Sequence, residues 1–317
     1  MRKSATSSAS AAFGEISPDL FEAFIDAALD NFEKYKGSTI VLKFGGEMIA
    51  NETMLDDILR QAIKLKRHNC NVILVHGGGT QIDADLKAQG IPAEKDPVTG
   101  KRMCDDKVLE VSFETLRRLN KDVTMKINAK AAEMGLNIVA MGESGYNGAL
   151  IRATPMHEKT RTGDYKAVDA EAFQSFASMK KIPVIYPICF GPNGEPLNVN
   201  ADDVAAGIAL GCNANRLIMV TDVTGVWDKD KKVIQEMNLT EVKNLIADGT
   251  ISGGMVPKVE AAMAVAEKGI DVVITTPKDG GLFRELFTVK GSGTMILAPK
   301  DKDYPNASPF VARTPAP

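Results

Sequence analysis

At 317 residues, with 44% hydrophobic and 25% charged side chains, the chain has the composition of an ordinary globular protein and length enough for one large domain or two modest ones. A formal net charge of -3 leaves no global positive field, which excludes non-specific attraction to nucleic acid or to an anionic membrane. The four cysteines, Cys70, Cys104, Cys189 and Cys212, form no CxxC or Cys/His cluster, so neither a disulfide framework nor a zinc site is expected, and reduced, cytoplasmic surroundings fit.

No apolar run approaches the roughly 18 residues of a membrane-spanning helix. Residues 1–16 start basic, are rich in Ser and Ala and lack an apolar core. A disordered tail is expected there, with an organellar transit peptide as the other reading. Over 17–37, Ser17-Pro18-Asp19 is a helix start, and Leu20, Phe24, Ala28, Phe32 and Tyr35 recur at helical spacing. This amphipathic helix packs either on its own domain or on a neighbouring subunit.

From Thr39 the pattern alternates apolar strands with helical stretches. Ile40–Leu42 leads to a helix bearing Leu55, Ile58, Leu59, Ala62 and Ile63, and Val72–Val75 leads through a triple glycine to a helix around Ile82 and Leu86. Such alternation predicts βαβ units, hence an α/β fold with a mainly parallel sheet covered by helices. Asp105–Met134 reads as two helices, Asn137–Met141 as a strand, and Gly148–Asp169 as a projecting β-hairpin. Ile182–Ile188 reads as a strand with Pro183 and Pro187 near its ends. A small-residue helix over Val204–Leu210, strands Leu217–Val220 and Val272–Thr275, a helix after Gly253-Gly254, and elements at Glu285–Thr288 and Gly293–Leu297 complete the series. The proline-rich end, 299–317, is expected to be a disordered tail.

The chemistry concentrates where strands run out. The apolar run that opens at Thr39 reads as a buried strand ending in Lys43, followed by Gly45 and Gly46, and Val72–Val75 breaks into His76-Gly77-Gly78-Gly79. Locally, Lys43 is either a snorkelling lysine or one that meets a negative partner, since an unpaired charge at a central strand end is costly. Glycines there let backbone N–H groups approach an anion. No GxxxxGK[ST] loop, no GxGxxG after a strand and no protein-kinase signature occurs. Asp202, in Asn198-Val-Asn200-Ala-Asp202, is either a helix cap or an acid that holds lysines while Asn198 and Asn200 present amides to a substrate. Lys258, after Gly253-Gly254-Met255, is either a solvated lysine in the first helical turn or, since its charge works against the helix dipole, one that meets an anion. Arg102 is either solvated or a fork for a substrate carboxylate. His68, His76 and His157 show no triad or metal spacing, and His76 is expected to support the glycine loop. Two lysines, one acid and glycine-lined strand ends suit phosphoryl transfer, which needs positioning and charge neutralisation.

Val41-Leu-Lys-Phe-Gly-Gly46, Val75-His-Gly-Gly-Gly79, Gly100-Lys-Arg102, Asn198–Asp202, Thr221-Asp-Val-Thr-Gly225 and Gly253–Lys258 together resemble the amino-acid kinase family, over about Thr39 to Leu297. The order and spacing are most similar to the branch that phosphorylates N-acetyl-L-glutamate in arginine biosynthesis. The resemblance implies a three-layer αβα sandwich over 38–298, with an acyl-amino-acid lobe (38–195) and an ATP lobe (196–298). It implies Lys43, Asp202 and Lys258 as catalytic residues, and Gly78, Gly79, Arg102, Asn198 and Asn200 as substrate-binding ones. Gly45, Gly46, Thr221, Asp222, Val223, Gly253, Gly254 and Met255 would bind nucleotide, with Mg2+ accompanying ATP and no dedicated protein metal site. A homo-oligomer is implied, a dimer or, through the N-terminal helix, a hexamer. The chain departs from the family at Tyr146-Asn147, where Lys-Asp is usual, and at Thr80, where proline is. Both leave open another acceptor, such as an aminoadipate derivative, and a non-catalytic ATP-binding sensor is the reading from a different class. Thr276–Gly281 replaces the usual Asp-Gly-Arg…His stretch, so arginine inhibition is expected to be weak or absent.

Overall fold

The apolar β-branched runs form strands and the 3.6-periodic stretches form helices, in a computed structural model that describes residues 17–97, 99–287 and 291–299. In chain order the main elements are α1 (Pro18–Tyr35), β1 (Thr39–Phe44), α2 (Gly46–Ala50), α3 (Glu52–Arg67), β2 (Asn71–His76), α4 (Gly79–Ala88), α5 (Asp106–Glu133), β3 (Val139–Gly145), β4 (Ile151–Pro155) and β5 (Thr162–Val168). They continue with α6 (Ala170–Ser178), β6 (Lys181–Phe190), β7 (Pro196–Val199), α7 (Ala201–Gly211), β8 (Arg216–Val220), β9 (Glu236–Met237), α8 (Leu239–Ala247), α9 (Met255–Ala266), β10 (Val272–Thr275), α10 (Gly281–Phe287) and β11 (Thr294–Ile296). The strands join one mainly parallel sheet, in the order β4-β5-β7-β6-β2-β1-β8-β10-β11-β9, with β3 on β6.

The two-residue period of the central strands sorts their side chains into two apolar clusters, and a third gathers Ile82 and Leu86 of α4, Val108 and Leu116 of α5 and Tyr186 and Ile188 of β6. Ile40, Leu42, Phe44, Val72, Leu74, Ile218 and Val220 join Leu55, Ile58 and Leu59 of α3 and Val123 and Ile127 of α5. Val41, Ile73, Val75, Leu217, Met219, Val272 and Ile274 join Val204, Ala205 and Ile208 of α7 and Val259 and Ala262 of α9. Lys43 follows the period of Val41 and therefore projects on the α7 side. In the parallel register, Phe44 lies beside His76 and Val220, and Val220 beside Thr275, so four strands end along one edge. From β1 the chain moves to β2 on one side, whereas β8 on the other side leads away to β10. The connections thus diverge at the β1/β8 boundary, the place where open parallel sheets leave a crevice beyond their carboxyl ends.

Several expectations need correction. Residues 106–133 are one 28-residue helix, not two, because no glycine or proline interrupts the polar middle of α5. Pro183 and Pro187 lie inside β6 rather than near its ends. Pairing with β2 covers Val184 and Ile185, pairing with β7 begins at Ile188, and the β3 register shifts opposite this gap, so Pro187 occupies an irregular stretch that tolerates its missing N–H. The Glu285 segment is helical, as α10. The hairpin is present as β4 and β5, but it joins the sheet, β5 pairing with β7 and β4 with β6, rather than projecting from it. All four cysteines are free thiols. The terminal tails, and the side chains of Leu20, Phe24, Ala28 and Phe32 on α1, lie outside the described residues; Tyr35 is buried. Among the described residues no helix is long and apolar enough to cross a membrane.

Candidate active site

The glycine rim is built from β1 and β2. A Cβ on Gly46 would collide with the Gln81 Oε1 and stand 3.1 Å from the Gly78 Cα, so the two glycine turns press together backbone to backbone. Gln81, in α4, donates through Nε2 to the Gly46 carbonyl at 2.8 Å and braces the contact. A Cβ on Gly45 would meet nothing within 4 Å, so that position is open towards the cleft. His76 closes the rim from inside. Its ring is fully buried, with Nδ1 2.9 Å from the Gly77 carbonyl and Nε2 3.1 Å from the Asn120 amide nitrogen. Burial pushes its pKa down to about 4, so at neutral pH it is a neutral Nδ1–H donor that sets the loop and no general base.

Opposite this rim stands the first turn of α7. Asn200 is its N-cap, accepting from the Asp202 backbone N–H at 2.8 Å. That frees the Asp202 carboxylate, whose Oδ1 lies 2.7 Å from the Lys43 Nζ. The side chains are 13% and 24% exposed, so the pair is sheltered but open on one side. Lys43 thus meets its negative partner in the protein, and the cap falls to Asn200 rather than Asp202.

Arg102 arrives from a tight loop. Lys95 and Arg102 bridge in antiparallel fashion, Gly100 N–H donates to the Asp96 carbonyl at 2.8 Å, and Gly100 takes φ +66°, which suits glycine. The guanidinium is buried, with Nη2 2.6 Å from Asp83 Oδ1 and 3.3 Å from the Gly79 carbonyl. Its Nη1 is also buried and has no partner in the protein. A buried, unsatisfied guanidinium nitrogen costs free energy until an acceptor arrives, and a carboxylate matches its fork.

Lys43, Gly45, Gly46, Gly78, Gly79, Arg102, Asn198 and Asn200 all line one cleft of about 240 Å³. Lys95, Lys101 and Thr162 line it too, and reading the residues locally missed them. Thr162 sits on β5 and donates to the Arg102 carbonyl at 2.6 Å, a contact between residues 60 apart that no local pattern announces. The nucleotide-associated residues are placed differently. Thr221, Asp222 and Val223 follow β8 at the same sheet edge, with Thr221 N–H donating to the Thr275 carbonyl at 2.9 Å and its hydroxyl to Asp222 at 3.0 Å. Gly253 (φ +58°) and Gly254 precede α9, and Met255 begins it. None of the six lines the cleft, nor do Asp202, which reaches it through Lys43, and Lys258, which lies half-buried in the first turn of α9. That helix packs on α7, the carrier of Asp202. The family departures lie off the cleft lining as well. Tyr146 donates its hydroxyl to the Gly194 carbonyl at 2.8 Å and packs on Phe190, and Thr80 is exposed.

Residues 38–276 match the amino acid kinase family. The chain belongs to the amino acid kinase family. Among its relatives, the protein named acetylglutamate kinase of Bartonella bacilliformis is 36% identical over 293 residues, covering 87% of this chain and 95% of that one. The acetylglutamate kinase of Brucella canis is 35% identical over 297 residues, covering 88% and 98%. Among solved structures, N-acetylglutamate synthase from Neisseria gonorrhoeae, complexed with coenzyme A and L-arginine, superposes with a TM-score of 0.75 at 22% identity over 88% of this chain. This chain spans 66% of the synthase's length. Carbamate kinase from Giardia lamblia, bound to AMP-PNP, superposes with a TM-score of 0.61 at 16% identity, covering 83% of this chain and 99% of that one. At these identities the two structures speak for the fold alone.

Proposed function

We propose that this family member is an ATP-dependent phosphotransferase that converts the side-chain carboxylate of N-acetyl-L-glutamate to an acyl phosphate, a step of arginine biosynthesis. The observation that carries the chemistry is Lys43, paired with Asp202 and lining one cleft with a glycine rim and a buried, part-satisfied Arg102. The acceptor is supported by the relatives named acetylglutamate kinase, which this chain matches over nearly their whole length. Nothing in the cleft favours another acceptor, since Tyr146 and Thr80 do not line it.

In this reading an ionised carboxylate oxygen attacks the γ-phosphorus while the bond to the β–γ bridging oxygen breaks and ADP leaves with its electron pair. A carboxylate is already charged at pH 7, so no general base is needed, which agrees with a neutral, buried His76. Lys43 neutralises charge on the phosphoryl oxygens, Asp202 fixes its ammonium, and Lys258 approaches from α9. Amides of Gly45 and Gly46 lie against the phosphates. Gly78, Gly79, Asn198 and Asn200 hold the acyl amino acid, and Arg102 takes its free carboxylate. Thr221, Asp222, Val223, Gly253, Gly254 and Met255 bind the nucleotide. Magnesium travels with ATP.

The two apolar clusters support reading the fold as a three-layer αβα sandwich, with acyl-amino-acid and ATP lobes over 38–195 and 196–298. The enzyme is read as cytoplasmic and as at least a dimer, with α1 available to build a hexamer. Hydroxamate formation from hydroxylamine and ATP tests the reaction. N-acetylglutamate is expected to give product, and Lys43→Ala to lower kcat by about 10²- to 10³-fold. Product from an aminoadipate derivative alone would move the enzyme to another pathway, and ATP binding without turnover of any acceptor would make it a sensor.

A further inference from the structure

Lys101 and Lys95 are the cations lining the cleft to which the transfer chemistry gives no task, and of the two Lys101 is the one held by carboxylates from two other segments. Its side chain is 18% exposed, and its ammonium lies 2.7 Å from Asp164 Oδ1 on β5 and 2.7 Å from Asp203 Oδ2 on α7. Burial pulls its pKa down, but the hydrogen bonds and charges of Asp164 and Asp203 outweigh that and hold it above the ordinary lysine value. Three segments meet at this ammonium: the loop that ends in Arg102, the hairpin β4–β5 and the first turn of α7. Each contributes the neighbour of a site residue. Lys101 precedes Arg102, Asp203 follows Asp202, and Asp164 lies two residues beyond Thr162, which sits beside Asn198 in the β5–β7 register.

We propose that Lys101 is a positioning residue that ties the hairpin β4–β5 to the first turn of α7, so that Arg102 and Asn198 line a single cleft beside the Lys43–Asp202 pair. The inference rests on the acyl-amino-acid reading of that cleft. Without the ammonium, Asp164 and Asp203 face each other beside Asp202, with Lys43 already engaged. Like charges then favour parting the hairpin from α7. Asp164 and Asp203 are 49% and 36% exposed, so water can hydrate them and the chain need not unfold.

The test is hydrogen exchange of the full chain combined with steady-state kinetics on Lys101→Met, Lys101→Arg and the double variant Asp164→Asn/Asp203→Asn. Lys101→Met is expected to speed amide exchange over residues 151–168 and to raise KM for the acyl amino acid about tenfold, as loss of alignment does, leaving KM for ATP within about twofold. Lys101→Arg should restore both readouts. In the Asp164→Asn/Asp203→Asn background, Lys101→Met should add nothing, because the interaction it removes is already gone. A further KM rise in that background, with unchanged hairpin exchange, would mean that Lys101 grips substrate directly and overturns the proposal. So would faster exchange with an unchanged KM, or faster exchange throughout the chain. If the wild type ignores N-acetylglutamate while the exchange difference persists, the acceptor assignment falls and the tie stands.

Discussion

At the scale of single residues, the candidate site is a matter of which side chains are present and which are missing. Lys43 is a charge on a strand of apolar neighbours, and that contrast is visible in the sequence. Its partner is not, because Asp202 lies far along the chain and is brought near only by the packing of α7 on β1. The two glycines after the strand separate cleanly. Gly45 has extended φ and ψ of -86° and 172°, and its missing Cβ would point into open space. Gly45→Ala should therefore fold with stability within about 0.5 kcal/mol of wild type, yet lose kcat/KM by filling the approach to the rim. Gly46→Ala drives a methyl into Gln81 and the Gly78 backbone and should cost about 1–3 kcal/mol. Urea titration beside the hydroxamate assay reads both, and equal destabilisation by the two substitutions would refute the distinction.

At the scale of elements, β2, α5 and β6 are locked through one amide. Asn120 of α5 is buried, and its Nδ2 donates to the Val184 carbonyl at 2.8 Å and faces His76 Nε2 at 3.1 Å. A proton on Nε2 would set donor against donor, which adds to the burial that holds the ring neutral. His76 titrates near 6.5 when unfolded and at about 4 when folded, so between these values the unfolded chain binds a proton that the folded one does not. Stability is thus fully present above pH 6.5 and falls as pH drops towards 4, by about 3 kcal/mol for this group at 1.36 kcal/mol per pH unit. The denaturation midpoint should drop between pH 7 and 4.5, and His76→Gln should flatten part of that slope. Identical slopes would remove His76 from the account. The expected break in α5 shows the limit of local reading here. Without glycine or proline a helix continues as long as Val123 and Ile127 find the core.

At the scale of the molecule, the register of four parallel strands gathers the glycine turns, Thr221 and Thr276 along one edge, and the chain's divergence at β1 and β8 leaves room beyond it. The helix α1 packs on α10 and leaves Ile25 and Leu29 exposed. Sedimentation should find the full chain in an oligomer of more subunits than a chain starting at Ser38, with activity little changed by added arginine; equal subunit numbers would leave α1 to its own subunit. The sequence by itself determined the alternation of strand and helix, the strand ends that carry Lys43 and the glycines, and the family, because periodicity, β-branching and glycine act over a few residues. Tertiary structure decided the rest. The single long helix, the prolines inside β6, the neutral His76, the pairing of Lys43 with Asp202 and the tie of Lys101 to Asp164 and Asp203 all depend on groups far apart in the chain. Their energies exist only once the sheet has brought those groups within a hydrogen bond of each other, out of reach of most of the solvent.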